Sequence, residues 1–357
     1  MYDVLILSFL TAFTLTYFAI PSIITIARER NLGVVPIERS SHKVVTPSLG
    51  GIAIFSGAIF SIVLWTPFGD FASLQYILCA FIILFLLGVK DDLLPISAYT
   101  KMGGQIMAAV ILVFKSNIQL TSLYGFLNIT GTIPLWASAT LSLITILAII
   151  NAFNLIDGID GLAGSLGALI TATLGCWFFL TDHYEYAIMA FATMGAVLAF
   201  LRYNFTPAKI FMGDTGSMLI GVVCAVLIIK FIEINYQLEE GHAFKFDNIP
   251  AVSIGIMILP LYDTARVFVT RILRGYSPFH ADRRHIHHLL IDYGLSHMRA
   301  TAILVFVNLL FICFVFSFHD ILGLHLMLIL LLSTVTALTY MLHRAVLKVT
   351  HQVAGQS

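Results

Sequence analysis

The chain has 357 residues, 59% of them hydrophobic and only 11% charged, and its mean hydropathy is +0.96. A soluble domain carries about 25% charged residues, so the composition excludes an ordinary soluble globule and places the chain in the membrane class. The formal net charge is zero, which leaves no electrostatic footprint for nucleic acid.

A helical span needs about 20 mostly apolar residues, and roughly eleven such stretches can be found. They lie near 2–26, 49–66, 72–89, 103–114, 134–151, 161–180, 186–201, 212–232, 251–270, 300–318 and 320–341. The expected fold is an all-α, polytopic membrane protein. The first stretch lacks a basic leader segment and is expected to be a retained span rather than a cleaved signal. Cys79, Cys176, Cys224 and Cys313 are scattered through apolar runs and read as small buried hydrophobes.

Orientation follows from the basic residues. Of the 19 lysines and arginines, only Lys115, Lys230 and Lys245 fall on even-numbered connections. Basic loops stay on the cytoplasmic side, so the N-terminus is expected outside and the C-terminus inside. The expected organisation is a single transmembrane catalytic domain, 1–357, with cytoplasmic loops at approximately 27–48, 89–102, 151–161, 202–217 and 271–299.

The polar clusters all fall on those loops. In chain order they are Ser41 to Gly51, Asp91-Asp92 with Lys101 and Gln105, Asn151 to Gly161, Arg202 to Ser217, and Ser277 to Leu290. Asp91, Asp92, Asp157, Asp160 and Asp214 are hard oxygen donors that suit Mg2+, with Mn2+ as a substitute. Gathered at a low-dielectric boundary they would raise one another's pKa, and a divalent cation would relieve the repulsion. Gly158, Gly161, Gly213 and Gly216 stand beside these acids, where glycine permits close backbone approach. A span-packing role is the bland alternative for such glycines.

Arg283-Arg284 precede His285, His287 and His288. The histidine spacing is poor for zinc and the arginines oppose a cation, whereas arginine with histidine suits phosphate. Lys43, Lys101 and Lys209 read singly as interface anchors or as phosphate contacts. Acids for a metal and bases for phosphates, on one membrane face, suggest phosphoryl-group chemistry between a soluble donor and a lipid. No Gly-x-x-x-x-Gly-Lys-[Ser/Thr] loop occurs.

Taken together, His42-Lys43 with Pro47 to Gly51, Asp91-Asp92, Asn151-x-x-Asn-x-x-Asp-Gly-x-Asp-Gly-Leu162, Asn204, Phe211 to Ser217 and His285-Ile-His-His288 form an ordered set. The set resembles the polyprenyl-phosphate N-acetylhexosamine-1-phosphate transferases. The resemblance implies transfer of a sugar 1-phosphate from a UDP-sugar to undecaprenyl phosphate, with release of UMP. It implies a Mg2+ ion bound by Asp214, with Asp92 and Asp157 close by. Asp91 is expected to bind or deprotonate the acceptor phosphate, in one step or beside a two-step route through a carboxylate nucleophile.

By the same resemblance Asn154 and Asp157 stand near the diphosphate and metal, Asp160, Asn204 and Phe211 surround the uridine, and Asn151 is a further substrate-binding residue. Lys43, Lys101, Arg283, Arg284, His285, His287 and His288 contact phosphates or sugar, with His288 among the catalytic group. The His-Ile-His-His form resembles the branch that uses UDP-GlcNAc; the phospho-MurNAc-pentapeptide branch is the alternative, and a secondary transporter is the rival of another class. The implied setting is the bacterial cytoplasmic membrane, with the site facing the cytoplasm. A homodimer is permitted.

Helix geometry adds one further expectation. Three-residue steps drift about 60° each around a helix, so Asn151 and Asp160 would lie on nearly opposite sides of an unbroken one. The helix is therefore expected to end or bend near Gly158 and Gly161. Asn154 and Asp157 would then face the metal and diphosphate, and Asp160 the nucleoside.

Overall fold

The computed structural model describes residues 2–30, 32, 46–277 and 284–354. The described residues form helices α1 (Tyr2–Glu29), α2 (Gly50–Trp65), α3 (Phe71–Leu93), α4 (Ala98–Lys115), α5 (Leu135–Ile156), α6 (Leu162–Leu180) and α7 (Tyr184–Asn204). They continue with α8 (Gly213–Gln237), α9 (Ile249–Ile256), α10 (Ile258–Leu273), α11 (Ile286–Asp292), α12 (His297–Phe318) and α13 (Leu324–Ala354). No strand is present among them. Lipid offers no partner for backbone N–H and C=O groups, so apolar runs of this length satisfy them internally as helices.

Among the described residues eight helices are long and apolar enough to cross a bilayer: α1, the Leu74–Leu93 part of α3, α5, α6, α7, α8, α12 and α13. The α9–α10 pair would make a ninth. α2 is apolar but has only 16 residues.

The ninth expected span is not one helix. α9 and α10 meet at Met257 with a bend of 84°. A broken helix leaves backbone groups unpaired, and a buried asparagine supplies partners here. Asn308 of α12 donates from Nδ2 to Ile256 O (3.0 Å) and accepts at Oδ1 from Leu259 N (3.3 Å). The bend carries α10 away from the α9 axis and brings its polar face to the histidine loop.

α8 is the hub. Every residue from Thr215 to Ile229 is buried, beneath α2, α3, α5 and α6. A helix apolar on all sides belongs in such a centre. α1 and α7 pack outside α2 and α6, and small hydroxyls join them: Ser61 of α2 donates to Ser8 O (2.6 Å) and Thr16 of α1 to Ala53 O (3.2 Å). The N-terminus of this central helix is where the polar clusters converge.

Candidate active site

The expected break in the Asn151–Asp160 stretch is present. α5 ends at Ile156, Asp157 leaves helical geometry (φ −77°, ψ 54°), and Gly161 takes φ +78° before α6 begins. Asn204 of α7 fixes the turn: its Oδ1 accepts from Gly161 N (2.8 Å) while its Nδ2 donates to Ile210 O (2.9 Å). Both ends of that amide are thus engaged with backbone.

The four polar residues of the stretch diverge as the helix ends. Asn151 turns to α4 and donates to Gln105 Oε1 (2.9 Å). Asn154 donates to Asp214 Oδ1 (2.7 Å) and Ser217 Oγ (3.1 Å) on α8. Asp157 and Asp160 face a cavity of about 390 Å3, which Asp92, Asn154, Asp214, Ser48, Asn204, Phe211 and His297 also line.

Asp214 is held by its neighbours. Asp92, at the end of α3, accepts from Asp214 N (2.7 Å), Thr215 N (3.0 Å) and Thr215 Oγ1 (2.6 Å). The first turn of a helix leaves N–H groups without intrahelical partners, and a carboxylate there is favoured by the helix dipole as well. Gly213 makes the fit: its φ is +72°, and a Cβ would lie 2.3 Å from Ser48 O and 2.7 Å from the Asp92 carboxylate. Phe211, Met212 and the Pro47 to Gly51 segment pair through backbone, with Phe211 N donating to Pro47 O (2.8 Å) and Gly50 N to Phe211 O (3.0 Å).

Lys101 of α4 ties the cluster together. Its ammonium pairs with Asp214, lies 3.3 Å from Asp91 Oδ2 and donates to Asn154 Oδ1 (3.2 Å). Asp91 also accepts from Ile96 N (2.9 Å). One cation therefore joins α3, α4, α5 and α8 at the rim of the cavity.

The loop acids differ in charge. Burial, and then the charges of Asp214, Asp92 and Asp160, push the Asp157 carboxyl up to about 7. Among the described residues it has no hydrogen-bond partner. For Asp160 burial acts upward, but hydrogen bonds with His297 and Thr206 outweigh it and hold the carboxyl below its ordinary value. Thr206 Oγ1 donates to Asp160 Oδ2 (2.7 Å), and His297 Nδ1 lies 3.4 Å from Oδ1.

The histidine loop closes over the break from the α10 side. Asp263 accepts at Oδ1 from Ile286 N (3.1 Å) and Arg266 (2.8 Å), and its Oδ2 pairs with His285 Nδ1 (2.9 Å). His287 lies against Gly158, where a Cβ would stand 2.2 Å from its Nε2. The ring stacks 5.6 Å from His285 and tilts 4.2 Å from His288. Burial, then the neighbouring His288, pulls His287 down to about 3, so it is a neutral imidazole at physiological pH. Arg284 lines a different cavity. Lys43 and Arg283 lie outside the described residues.

Several residues at the site were not singled out in the sequence. Ser48, Thr215 and Ser217 sit inside the sequence motifs, beside their acids and glycines. Asp263 was hidden within an expected span, and only an acid in an apolar run marked it. His297 opens α12 nine residues after His288, inside the expected loop 271–299 but outside the histidine motif itself.

Among the described residues no three carboxylate, imidazole or thiol groups are gathered as a ready-made metal cage. Both oxygens of Asp92 are engaged by α8. Asp214 faces the cavity with its oxygens held by Asn154 and by Lys101, a cation that a metal ion could replace, and Asp157 faces it unpartnered, its ionisation opposed by its neighbours. That donor set fits Mg2+ held by one or two carboxylates plus phosphate oxygens of a substrate, the common mode for this ion.

Comparison with known proteins agrees with this layout. Residues 74–232 match the model of "Glycosyl transferase family 4". The chain is 35% identical over 314 residues to a decaprenyl-phosphate N-acetylglucosaminephosphotransferase of Mycobacterium tuberculosis, covering 83% of this chain and 78% of that protein. It is 33% identical over 283 residues to an undecaprenyl-phosphate alpha-N-acetylglucosaminyl 1-phosphate transferase of Haemophilus influenzae (76% and 75% covered). A probable undecaprenyl-phosphate N-acetylglucosaminyl 1-phosphate transferase of Bacillus subtilis is 28% identical over 277 residues (77% and 74% covered). With this identity over most of both chains, and with the motif residues gathered at one cavity, the chain belongs to the polyprenyl-phosphate N-acetylglucosamine-1-phosphate transferase family.

Proposed function

We propose that the protein transfers N-acetylglucosamine 1-phosphate from UDP-N-acetylglucosamine to undecaprenyl phosphate. An oxygen of the acceptor phosphate bonds to the β-phosphorus of the donor. The bond from that phosphorus to the bridging oxygen breaks, and UMP leaves with the electron pair. The product is an undecaprenyl-diphosphate-linked sugar that starts a cell-surface polysaccharide. The observation that carries this reading is the convergence of Asp91, Lys101, Asn154 and Asp214 from four helices beside the acid-lined cavity.

A phosphate monoester has its second pKa near 6, so at neutral pH the acceptor needs little deprotonation. Positioning and charge then dominate catalysis. Lys101 is poised to exchange its carboxylate partners for phosphate oxygens. Asp157 and Asp214 would hold Mg2+, with Mn2+ as a substitute. When bound, the ion neutralises the diphosphate and the departing UMP. Asp92 acts as a positioning residue for Asp214. Asp160, with Thr206 and His297, borders the nucleoside end, where the half-exposed ring of Phe211 offers a stacking face for uracil.

The lipid tail has a place as well. An apolar groove of about 390 Å3 runs between α5 and the α9–α10 pair, lined by Leu141, Ile144, Ala148, Ile254, Met257 and Leu261. α5 also carries Asn154, so one helix borders both the tail groove and the phosphate site. The topology we assign has eleven crossings, the N-terminus outside and the catalytic loops in the cytoplasm, an orientation supported by the bias of the basic residues. The membrane is then the bacterial cytoplasmic membrane.

Purified protein given UDP-N-acetylglucosamine is expected to release UMP only when polyprenyl phosphate and Mg2+ are both present. Counterflow of an intact substrate with no UMP would replace the enzyme by a transporter.

A further inference from the structure

A second polar cavity, of about 470 Å3, opens between α10 and α13 and shares no lining residue with the first. We propose that it binds the phosphate headgroup of an anionic phospholipid of the cytoplasmic leaflet. Its lining includes Arg266 of α10, Arg274 just past the end of that helix, Arg284 ahead of α11, His343 of α13, and Tyr262 and Thr336. No carboxylate lines it among the described residues. Asp263 stands behind the wall, shared between Arg266 and His285.

Arg266 supplies the sharper clue. Its Nη2 is engaged by Asp263 (2.8 Å) and Arg284 O (2.5 Å), but its Nε is buried with no hydrogen-bond partner. A buried N–H left unpaired is costly, and a charged one more so. A phosphate oxygen is the acceptor that guanidinium geometry suits. The Tyr262 hydroxyl of α10 donates to Thr336 Oγ1 of α13 (3.2 Å), so the two helices also bring hydroxyls to the lining.

Depth favours a lipid over a soluble anion. At about 1.5 Å per residue, Thr336 lies about 18 Å and His343 about 28 Å along α13 from Leu324, against a hydrocarbon core of about 30 Å. The cavity therefore reaches the level of the headgroups on the face where α10 runs into the catalytic loop 271–299. Beside it, Leu273 (79% exposed), Ile272 (58%) and Met341 (58%) present apolar surface suited to acyl chains. Basic recesses between spans on the cytoplasmic side are a recurrent form of anionic-lipid site. Through Arg266, Asp263 and His285, the occupied cavity would also brace the loop that places His287 on Gly158.

The test uses the full-length protein, delipidated in neutral detergent. It is titrated with phosphatidylglycerol, with phosphatidylcholine of the same acyl length, and with inorganic phosphate. Retained lipid is counted by native mass spectrometry, and the unfolding temperature is followed in parallel. Saturable retention of phosphatidylglycerol and a raised unfolding temperature are expected, with neither for phosphatidylcholine or inorganic phosphate. Arg266→Lys keeps the charge and removes the Nε–H; it is expected to weaken phosphatidylglycerol retention about tenfold. Arg274→Gln combined with His343→Gln gives a second arm at exposed positions, and the same loss is expected without a change in the lipid-free unfolding temperature. Equal retention of the two lipids, or retention unchanged in both variants, would overturn the proposal. Stabilisation by inorganic phosphate that Arg266→Lys abolishes would overturn the lipid assignment in favour of a soluble anion.

Discussion

Asp92 accepts hydrogen bonds from the backbone N–H groups of Asp214 and Thr215, 122 and 123 residues further along the chain. An acid from α3 thus caps the buried helix α8 and fixes the start of its first turn. Asp92→Ala removes a cap worth about 1 kcal/mol, up to about 2. The unfolding temperature in detergent is expected to fall. Turnover is expected to fall further, to a hundredth or less, because misplacing a catalytic group by about 1 Å can cost about 100-fold. Unchanged turnover with a lowered unfolding temperature would reduce Asp92 to a purely structural cap.

Asp214→Asn keeps the shape of the side chain and removes its charge. The protein is expected to fold, since Asn154 and Lys101 can still bond to the amide oxygen. UMP release should drop by about 100-fold or more, the scale seen when a preorganised electrostatic partner is lost. Size-exclusion and unfolding profiles matching the parent, with activity retained, would refute the metal role of Asp214.

The raised carboxyl of Asp157 gives a pH signature. Its folded value of about 7 lies above its ordinary 3.8, so between these values the cation-free folded state binds the proton more tightly than the unfolded chain. Asp157 therefore contributes stability that is full below pH 3.8 and is lost as pH rises through about 7. A divalent cation needs the ionised form and competes with that proton. The apparent Mg2+ affinity, read as a thermal shift at pH 6, 7 and 8, should weaken by up to about tenfold per unit below pH 7 and level off above it. Asp157→Asn should flatten the profile. An affinity independent of pH in the parent protein would contradict the assignment.

Gly158 has no room for a methyl group, because His287 lies where a Cβ would be. Gly158→Ala must move the imidazole or the turn that carries Asp157. UMP release is expected to fall about tenfold or more, by the same misplacement argument, with a smaller change in unfolding temperature. Full activity would show that the His287 contact is incidental.

Much of the fold was legible because membrane physics writes it into composition. Apolar runs locate the helices, and the Asn151 to Gly161 spacing, incompatible with one helix face, foretold the break at Asp157. What was not legible depends on neighbours remote in sequence. The bend at Met257 is completed by Asn308, which reads locally as one polar residue in an apolar run. The engagement of Asp92 with α8 follows from how α3 and α8 pack, and Asp-Asp alone cannot show which acid faces the ligand. Asn204, expected beside the uridine, lines the cavity with its amide bound to backbone on both sides. Arg284 carries the charge expected at a phosphate site, yet its position after α10 turns it to a different cavity.

The most direct test of the central reading is a donor competition with purified protein, undecaprenyl phosphate and Mg2+. UDP-N-acetylglucosamine and UDP-MurNAc-pentapeptide are offered together, and the lipid products are resolved by mass spectrometry. Undecaprenyl-diphosphate-N-acetylglucosamine and one UMP per product are expected, with no pentapeptide-bearing lipid. Product formed only from the pentapeptide donor would contradict that reading.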